Sequence, residues 1–128
     1  KSVFGHVYDD LAISNSWLNI VEKDQQINLH KHTNSYLSGV FYLTDGSPFT
    51  FYNVGNEAFH FQPESRNPNN PRVANSFNVN PSRGVVLLFP STMYHMVQRS
   101  DEDKERISLA FNNIPKGTIG SETNQIKL

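Results

Sequence analysis

The chain has no cysteine among its 128 residues. This absence excludes disulfide bonds, zinc ribbons, iron–sulfur clusters and thiol nucleophiles together. Any metal ion in this protein must therefore be bound by histidine, carboxylate or water. The chain also lacks an excess of basic charge, since 11 Lys and Arg residues stand against 12 Asp and Glu residues. Without that excess, nucleic acid is a poor first candidate for a partner.

Long hydrophobic runs and helical periodicity are missing as well. The longest apolar runs, such as residues 85–90, fall far below the roughly 18 residues that a membrane-spanning helix needs, and no signal-peptide layout opens the chain. No segment repeats its apolar residues with the helical period of about 3.6. We therefore expect no membrane association and little helix. A chain of 128 residues is long enough for one core, so we expect a single domain over residues 1–128.

What is present is a series of short segments rich in β-branched and aromatic residues, separated by Asn, Ser, Gly and Pro. One or two strands are predicted over residues 11–21. Further strands are predicted over residues 36–44, 48–54, 73–79, 84–89, 95–98 and 106–111. About eight short strands with hardly any helix favour an all-β jelly roll, barrel or sandwich. The tail, residues 114–128, shows no usable periodicity.

Residues 61–75 interrupt this pattern with three prolines, four asparagines and two arginines. This composition predicts a long surface loop, which would be a candidate lid over a binding site. Its arginines, Arg66 and Arg72, would meet an anionic substrate there. In most loops of this kind such side chains only keep the segment solvated.

The chain contains five histidines, and two of them form an H-x-H pair, His30 and His32. In an extended segment, residues two apart point to the same face, so both imidazoles would project together. This is a spacing that metal ligands use, although two exposed histidines in a hairpin would look the same. His6 and His60 are interpreted as ordinary surface or loop histidines.

A third histidine, His95, follows an almost wholly apolar segment and a Pro-Ser turn. A single histidine at the end of a core strand more often satisfies a hydrogen bond inside a β barrel than it binds a metal. Together with His30 and His32, however, it completes a set of imidazoles that suits Fe, Mn, Ni or Zn.

Arg106 and Ser108 share one face of a predicted strand, and the apolar residues between and after them share the other. A guanidinium beside a hydroxyl can bind a carboxylate in a bidentate manner. The alternative is a surface ion pair between Arg106 and Glu102, Asp103 or Glu105.

Five motifs follow one another in a specific order. They are WLNI at 17–20, HKH at 30–32, LSGVFYL at 37–43, LFPSTMYH at 88–95 and RISLAFN at 106–112, and together they span about three quarters of the chain. With these motifs the sequence resembles the 2-oxoglutarate and Fe(II)-dependent oxygenase superfamily, in particular its small members from phages and marine bacteria. The resemblance implies a double-stranded β-helix, the jelly roll of that superfamily, with iron near the open end of the barrel.

The resemblance implies that iron is bound by His30, His32 and His95. Most members carry H-x-D or H-x-E at the first pair, whereas this chain has histidine at position 32. Either His32 replaces the carboxylate as a ligand, or it lies behind the ligands. In the second case, water or another residue completes the coordination of the iron. Three neutral imidazoles would leave the double charge of Fe(II) without the compensation that a carboxylate provides.

The resemblance also implies a cosubstrate, 2-oxoglutarate, whose distal carboxylate meets Arg106 with help from Ser108 and Tyr42. The implied reaction is oxidative decarboxylation of 2-oxoglutarate to succinate, coupled to hydroxylation of an unidentified prime substrate. We expect a cytoplasmic location, which would be the host cytoplasm for a phage-encoded protein, and a homodimer is possible.

Two other interpretations use some of the same residues. A cupin would also carry H-x-H, and Gly84, Pro90 and His95 match its second motif, but Tyr36 and Leu37 stand where its glutamate is expected. A non-catalytic jelly-roll binding or virion module would use the 12% aromatic residues as core and as a ligand platform. Trp17 is expected to pack near a strand end.

Overall fold

A computed structural model describes residues 10–53, 74–101 and 103–128. These residues form β-strands and no helix, so none of them belongs to a helix that could cross a membrane. The ten strands are β1 Asp10–Val21, β2 Ile27–His30, β3 Leu37–Tyr42, β4 Phe49–Tyr52, β5 Ser76–Val79, β6 Val86–Pro90, β7 Tyr94–Val97, β8 Arg106–Lys116, β9 Thr118–Ile119 and β10 Ile126–Lys127.

The first eight strands form two antiparallel sheets of four strands each. One sheet has the order β1-β8-β3-β6 and the other has the order β2-β7-β4-β5, while β9 and β10 pair as a separate hairpin. Apart from the β4–β5 hairpin, successive strands from β1 to β8 lie in alternate sheets. This arrangement is the double-stranded β-helix, or jelly roll, and it confirms the predicted fold class.

The core lies between the two sheets and follows the alternation of the strands. In β8, Arg106, Ser108, Ala110 and Asn112 are buried, whereas Leu109 between them is exposed. The apolar core consists of residues from both sheets: Val40, Tyr42, Phe89 and Ala110 from the first, and Phe49, Phe51 and Val97 from the second. Period-two patterning therefore selects which side chains enter the barrel.

The predicted strands within 36–54 and 74–98 are confirmed to within a few residues. Residues 11–21 form one strand with a bulge between Ile13 and Asn15. The prediction for β8 was too short, because β1 pairs with it as far as Asp10 opposite Lys116, and this partner lies far away in sequence. The strands β2, β9 and β10 were missed, since two to four residues are too few to establish an alternation.

Several predicted features lie outside the described residues. These are His6, His60, Arg66, Arg72 and all of the predicted loop except its last two residues. Of those two, Ala74 is buried, and the carbonyl oxygen of Asn75 accepts a hydrogen bond from the backbone N–H of Asn53. This hydrogen bond extends the pairing of β4 with β5 by one residue on each strand.

The outer face of the first sheet is apolar. One row of neighbours crosses all four strands and consists of Leu18, Leu109, Phe41 and Val86. In the next row, Gly39 lies between the side chains of Phe111 and Leu88, and a Cβ at Gly39 would overlap both. Glycine therefore allows the Phe111 ring to lie across the neighbouring strand. Leu18 is 54% exposed and Val86 is 51% exposed.

Candidate functional site

Three histidines from two distant parts of the chain meet inside the barrel. His30 is the last residue of β2, and His95 is the second residue of β7, directly opposite it in the register. His32 has left the strand, and its backbone N–H donates to the carbonyl oxygen of Ser91. The expectation that both members of the H-x-H pair project together is confirmed, since both rings line the same cavity, although the strand itself ends at His30.

The imidazoles are close enough to share one ion. Each of the three offers a ring nitrogen, and these atoms all lie within 4.8 Å of one another. His32 Nε2 and His95 Nε2 are 3.2 Å apart. The ring centroids of His30 and His95 are separated by 4.3 Å. The histidines line a cavity of about 80 Å³, which is large enough to admit an ion.

Backbone carbonyl groups determine which nitrogen two of these rings present. His30 Nδ1 lies 2.7 Å from the carbonyl oxygen of Asn28, and His95 Nδ1 lies 2.8 Å from that of Met93. A carbonyl oxygen only accepts, so each Nδ1 must carry the hydrogen. The neutral rings then turn the lone pair of Nε2 toward the cavity, which is the form that binds a metal ion.

Burial favours the neutral form of two of the three histidines. His95 is 3% exposed, and burial lowers its pKa to about 4. The hydrogen bond to the carbonyl oxygen of Met93 opposes this shift, and the neighbouring His30 and His32 lower the pKa by smaller amounts. Burial, and then the neighbouring His30, also lowers the pKa of His32. Neutral imidazole is the ligand form, so the rings of His32 and His95 can bind a cation at neutral pH.

Aromatic rings pack against two of the histidines, of which His95 is buried and His32 is half-buried. Phe49 stacks on His95 with a centroid separation of 5.0 Å, and the edge of Phe89 approaches the same ring at 4.9 Å. Trp17 lies 5.5 Å from His32. Trp17 is in the middle of β1 and not near a strand end as expected, because residues 10–21 form a single long strand.

Arg106 occupies a second buried polar region of the same interior. It is 1% exposed, so the predicted alternative of a surface ion pair is wrong. Its guanidinium carbon lies 5.1 Å from the centroid of the Tyr42 ring, and Nη1 donates to Ser108 Oγ over a long distance of 3.5 Å. The structure thus brings together Arg106, Ser108 and Tyr42, as predicted.

The Arg106 region contains polar atoms without partners. Within the described residues, four buried side-chain atoms lack a hydrogen-bond partner: Nε and Nη2 of Arg106, the hydroxyl oxygen of Tyr42 and Oγ of Ser47. Burial lowers the pKa of Arg106 and raises that of Tyr42, and the contact between the two side chains opposes both shifts. An arginine side chain stays charged in proteins, and a phenol whose pKa is raised stays protonated at neutral pH. Buried donors of this kind fit a carboxylate, which only accepts hydrogen bonds.

One strand connects the two polar regions. Ala110 lines the histidine cavity, and Ser108 and Arg106 follow it on the same buried face of β8. Four residues of a strand span about 13 Å. The histidine cluster and the guanidinium are therefore at two depths of one barrel interior.

Sequence reasoning missed the polar residues behind His32. The side-chain amide of Asn112 lies 3.4 Å from His32 Nδ1, and Ser38 and Ser91 extend the contact into the core. The alternation that placed Arg106 and Ser108 on one face also includes Asn112, so that signal was present in the sequence. Ser47 beside the Arg106 region had no such signal, because it lies in a turn.

Comparisons with known structures show the same fold in proteins of low sequence identity. An oxidoreductase of the 2OG-Fe(II) oxygenase family from Burkholderia pseudomallei superimposes with a TM-score of 0.65 and 20% identity, over 86% of this chain and 47% of that one. HygX from Streptomyces hygroscopicus, with iron bound, superimposes with a TM-score of 0.64 and 18% identity, over 89% of this chain and 62% of HygX. A Pseudomonas putida prolyl-4-hydroxylase superimposes with a TM-score of 0.57 and 17% identity, over 86% of this chain and 54% of the hydroxylase. The chain thus spans roughly half to three fifths of the length of these structures.

Sequence comparison gives two further results. No curated protein matches the chain significantly. The profile of a family described as "Putative 2OG-Fe(II) oxygenase" matches residues 15–112, a segment that includes all three clustered histidines and Arg106. This match favours the predicted oxygenase superfamily over the cupin interpretation. Because the matched segment covers about three quarters of the sequence, we conclude that the chain belongs to the 2OG-Fe(II) oxygenase family.

Proposed function

We propose that this chain is the barrel of a 2-oxoglutarate- and Fe(II)-dependent oxygenase that hydroxylates an unidentified substrate. The observation that carries the proposal is the convergence of His30, His32 and His95 in the same interior as an unpartnered, buried guanidinium. Family membership and the fold of HygX, which has been crystallised with nickel and 2-oxoglutarate, support it.

The donor set fits both groups. The three imidazoles would hold iron through Nε2 of His30, of His95 and of His32, and no carboxylate belongs to this cluster of described residues. Iron with 2-oxoglutarate supplies the oxidation: 2-oxoglutarate, O2 and a C–H bond become succinate, CO2 and a C–OH group. In that balance the two organic substrates each lose two electrons and O2 accepts four.

The side chains of the barrel bind and orient the reactants. Arg106 donates to the distal carboxylate of 2-oxoglutarate through the two nitrogens that have no partner in the protein, and the Tyr42 hydroxyl donates beside it. Ser108 holds Nη1 of the guanidinium. A charge-assisted bond in a buried site is stronger than one in water, so this end of the site can fix the cosubstrate.

The aromatic residues around the cluster shield the buried His95 from water. Phe49 and Phe89 pack on His95, and Trp17 packs on His32. These contacts hold the rings of His95 and His32 in one orientation and would keep bulk solvent away from the His95 side of the site. The chemistry would belong to the metal and cosubstrate, and the barrel would supply positioning.

The decisive experiment is uncoupled turnover. Succinate release from 2-oxoglutarate, with Fe(II) and O2, is measured for the wild type, His95→Ala, Arg106→Ala and the control Lys23→Ala, which alters only an exposed ion pair with Asp103. We expect release by the wild type and the control and loss of release in the other two variants. Equal release by all four proteins, or none by a metal-loaded wild type, would overturn the proposal and favour a non-catalytic module.

A spectrum separates the oxygenase from a cupin-type enzyme. Under anaerobic conditions, adding 2-oxoglutarate to the Fe(II) protein should produce a weak charge-transfer band in the visible region, because the 2-oxo acid binds the metal directly. Arg106→Ala should need more 2-oxoglutarate to develop the same band. Tight Fe(II) binding without any band would contradict the assignment of the cosubstrate.

We also propose that the protein forms a homodimer. The support is the apolar outer face of the first sheet, where Leu18 and Val86 are about half exposed, since monomers rarely expose large contiguous apolar patches. Sedimentation velocity should show a dimer for the wild type and a monomer for the double variant Leu18→Glu, Val86→Glu. A monomeric wild type would contradict this proposal. The cytoplasmic location, the absence of nucleic-acid partners and the phage or marine origin stay predictions.

A further inference from the structure

Ser47 carries a buried hydroxyl group that has no partner. The residue lies in the turn between β3 and β4 and is 7% exposed, yet its Oγ forms no hydrogen bond. Among the described residues, only Ser47 and Tyr42 have a buried hydroxyl in this condition. The buried hydroxyls of Ser38, Thr50 and Ser91 are all bonded to neighbouring side chains. Native interiors rarely leave such a group unsatisfied, so the Ser47 hydroxyl needs an explanation.

The turn that contains Ser47 packs on the beginning of β8. Thr44 Oγ1 accepts a hydrogen bond of 2.8 Å from the backbone N–H of Ile107. Gly46 then passes over the stem of Arg106, where a Cβ would lie 3.0 Å from Cβ and 3.1 Å from Cγ of the arginine. Ser47 follows this contact directly in the chain. The turn therefore holds the backbone of Ser47 beside the Arg106 region.

The side chain of Ser47 faces the barrel interior. The carbonyl oxygen of Pro48 accepts a hydrogen bond from the backbone N–H of Gln98, which continues the pairing of β4 with β7 by one residue. Alternation along this segment puts Ser47 on the same face as Phe49 and Phe51. Both phenylalanines belong to the apolar core. Alternation and burial thus agree that the Ser47 hydroxyl lies inside the barrel.

Ser47 lies at the depth of Arg106 and not at that of the histidines. In the second sheet, Phe51 is opposite His95, and Ser47 precedes Phe51 by four residues. In the first sheet, Ala110 lines the histidine cavity, and Arg106 precedes Ala110 by four residues. The contact of the turn with Arg106 shows that both segments run from the histidines toward the same end of the barrel.

The unpartnered donors at this end match the acceptor capacity of one carboxylate. They are Nε and Nη2 of Arg106 and the hydroxyls of Tyr42 and Ser47. A carboxylate has two oxygens with about four lone-pair positions. A guanidinium that binds it through Nε and Nη2 makes one hydrogen bond to each oxygen. One position on each oxygen then remains, and the two hydroxyls supply one hydrogen for each.

We propose that Ser47 is a further binding residue for the cosubstrate, whose hydroxyl donates to the distal carboxylate of 2-oxoglutarate beside Arg106 and Tyr42. This inference rests on the proposed function, since it takes 2-oxoglutarate as the ligand. With Ser47 included, the carboxylate bonds to groups from both sheets, because Tyr42 and Arg106 belong to the first sheet and Ser47 leads into β4 of the second. A neutral amide oxygen could not accept four hydrogen bonds, so the set of donors selects a carboxylate.

Calorimetric titration with 2-oxoglutarate tests this assignment on the full chain loaded with Zn(II), a metal without redox chemistry. Ser47→Ala removes one hydrogen bond to a buried charge and should weaken 2-oxoglutarate binding by about 10- to 100-fold. Thr50→Val is the matched control, because its hydroxyl lies on the other face of β4 and bonds to Asn78. The control should bind 2-oxoglutarate as tightly as the wild type. Wild-type affinity in Ser47→Ala would overturn the inference, whereas a wild type that binds no 2-oxoglutarate would overturn the proposed function and this inference with it.

A second ligand locates the contact at the distal carboxylate. 2-Oxopentanoate has the same number of carbon atoms as 2-oxoglutarate but ends in a methyl group, so it offers Ser47 no acceptor at that end. Its affinity should therefore not differ between the wild type and Ser47→Ala. An equal loss of affinity for both ligands would place the effect at the metal end of the cosubstrate and would overturn the inference.

Stability without ligand separates binding from packing. Ser47→Ala removes an unpartnered hydroxyl, so the urea midpoint of the metal-free protein should stay the same or rise. Thr50→Val loses hydrogen bonds with two side chains and should lower the midpoint. A midpoint that falls in Ser47→Ala as far as in Thr50→Val would show that the Ser47 hydroxyl supports the fold, which contradicts the inference. If Ser47→Ala fails to fold, Ser47→Cys keeps the shape with a weaker donor, and wild-type affinity for 2-oxoglutarate in that variant would decide against Ser47.

Discussion

The histidine cluster and the Arg106 region lie in one barrel and use hydrogen bonds in opposite ways. Backbone carbonyl groups hold His30 and His95 in a fixed orientation, and only the inward nitrogens remain open. Arg106 instead keeps two donor nitrogens with no partner in a place that water does not reach. One region is fully oriented before any ligand arrives, and the other contains donors that only a ligand can satisfy.

This difference separates metal binding from cosubstrate binding. Orientation of the imidazoles before binding reduces the loss of side-chain entropy when an ion is bound. Unpartnered buried donors lower the stability of the empty protein by about 1–3 kcal/mol per group, and a carboxylate that satisfies them recovers that free energy. We therefore expect substitutions in the two regions to have distinct effects on affinity and on stability.

The largest expected effect is on metal binding. His95→Ala removes the most buried ligand and should weaken Co(II) or Zn(II) binding by more than about 100-fold, beyond what the loss of a supporting residue causes. Equilibrium dialysis measures the affinity. Arg106→Met serves as the matched variant and should bind the metal as tightly as the wild type. Equal loss in both variants would show that the two regions are not independent.

The second effect is on the pH dependence of stability in the metal-free protein. The folded-state pKa of His95 is about 4, below the unfolded value near 6.5. Between these values the unfolded chain binds more protons, so the free energy of unfolding falls as the pH drops from about 6.5 to 4, by up to about 3 kcal/mol. His32, with a lowered pKa, acts in the same direction.

Urea unfolding at several pH values measures this dependence. His95→Phe should flatten the curve, because the neutral ring has no proton to gain. Arg106→Met should keep the wild-type slope, since the charge of arginine does not change in this range. A wild-type stability that stays constant from pH 6.5 to 4 would contradict the buried, neutral state of His95.

The third effect is on cosubstrate affinity. Arg106→Met should weaken 2-oxoglutarate binding by about 2–3 kcal/mol, the value of a buried hydrogen bond to a charged group. In the absence of ligand, the same change should raise the free energy of unfolding by about 1 kcal/mol or more, because methionine has no donors to leave unsatisfied. Calorimetric titration and urea unfolding measure the two quantities. A loss of both affinity and stability would mean that Arg106 mainly supports the fold.

The smallest effect concerns the turn that packs on Arg106. A Cβ at Gly46 would lie 3.0 Å from Cβ and 3.1 Å from Cγ of Arg106, at a φ of +154° that favours glycine. Gly46→Ala should destabilise the protein by about 1 kcal/mol. It should also weaken the binding of 2-oxoglutarate a few-fold and leave the metal affinity unchanged. Gly84→Ala, whose Cβ would meet no atom within 4 Å, controls for backbone strain alone.

Much of the site could be predicted from local sequence. The alternation over residues 106–112 places Arg106, Ser108 and Asn112 on one face, and burial confirms that face. The apolar segment before His95 predicts a core strand, but β6 lies at the edge of its sheet with Val86 and Leu88 about half exposed, so only its position before the site was predicted correctly. His30 and His32 project together as their two-residue spacing predicts. The contact that holds His32, from its backbone N–H to the carbonyl oxygen of Ser91, 59 residues later, has no local signal.

The sequence alone determined the all-β class, the faces of the longer strands and the set of side chains able to bind a metal or a carboxylate. These properties depend on residue type and on a period of two, which neighbouring residues express without any distant partner. Only the tertiary structure decided that β2 and β7 pair with His30 opposite His95, that β8 extends to Lys116, and that Asn112 meets His32. Strand register and hydrogen-bond direction depend on partners remote in sequence, so no local pattern specifies them.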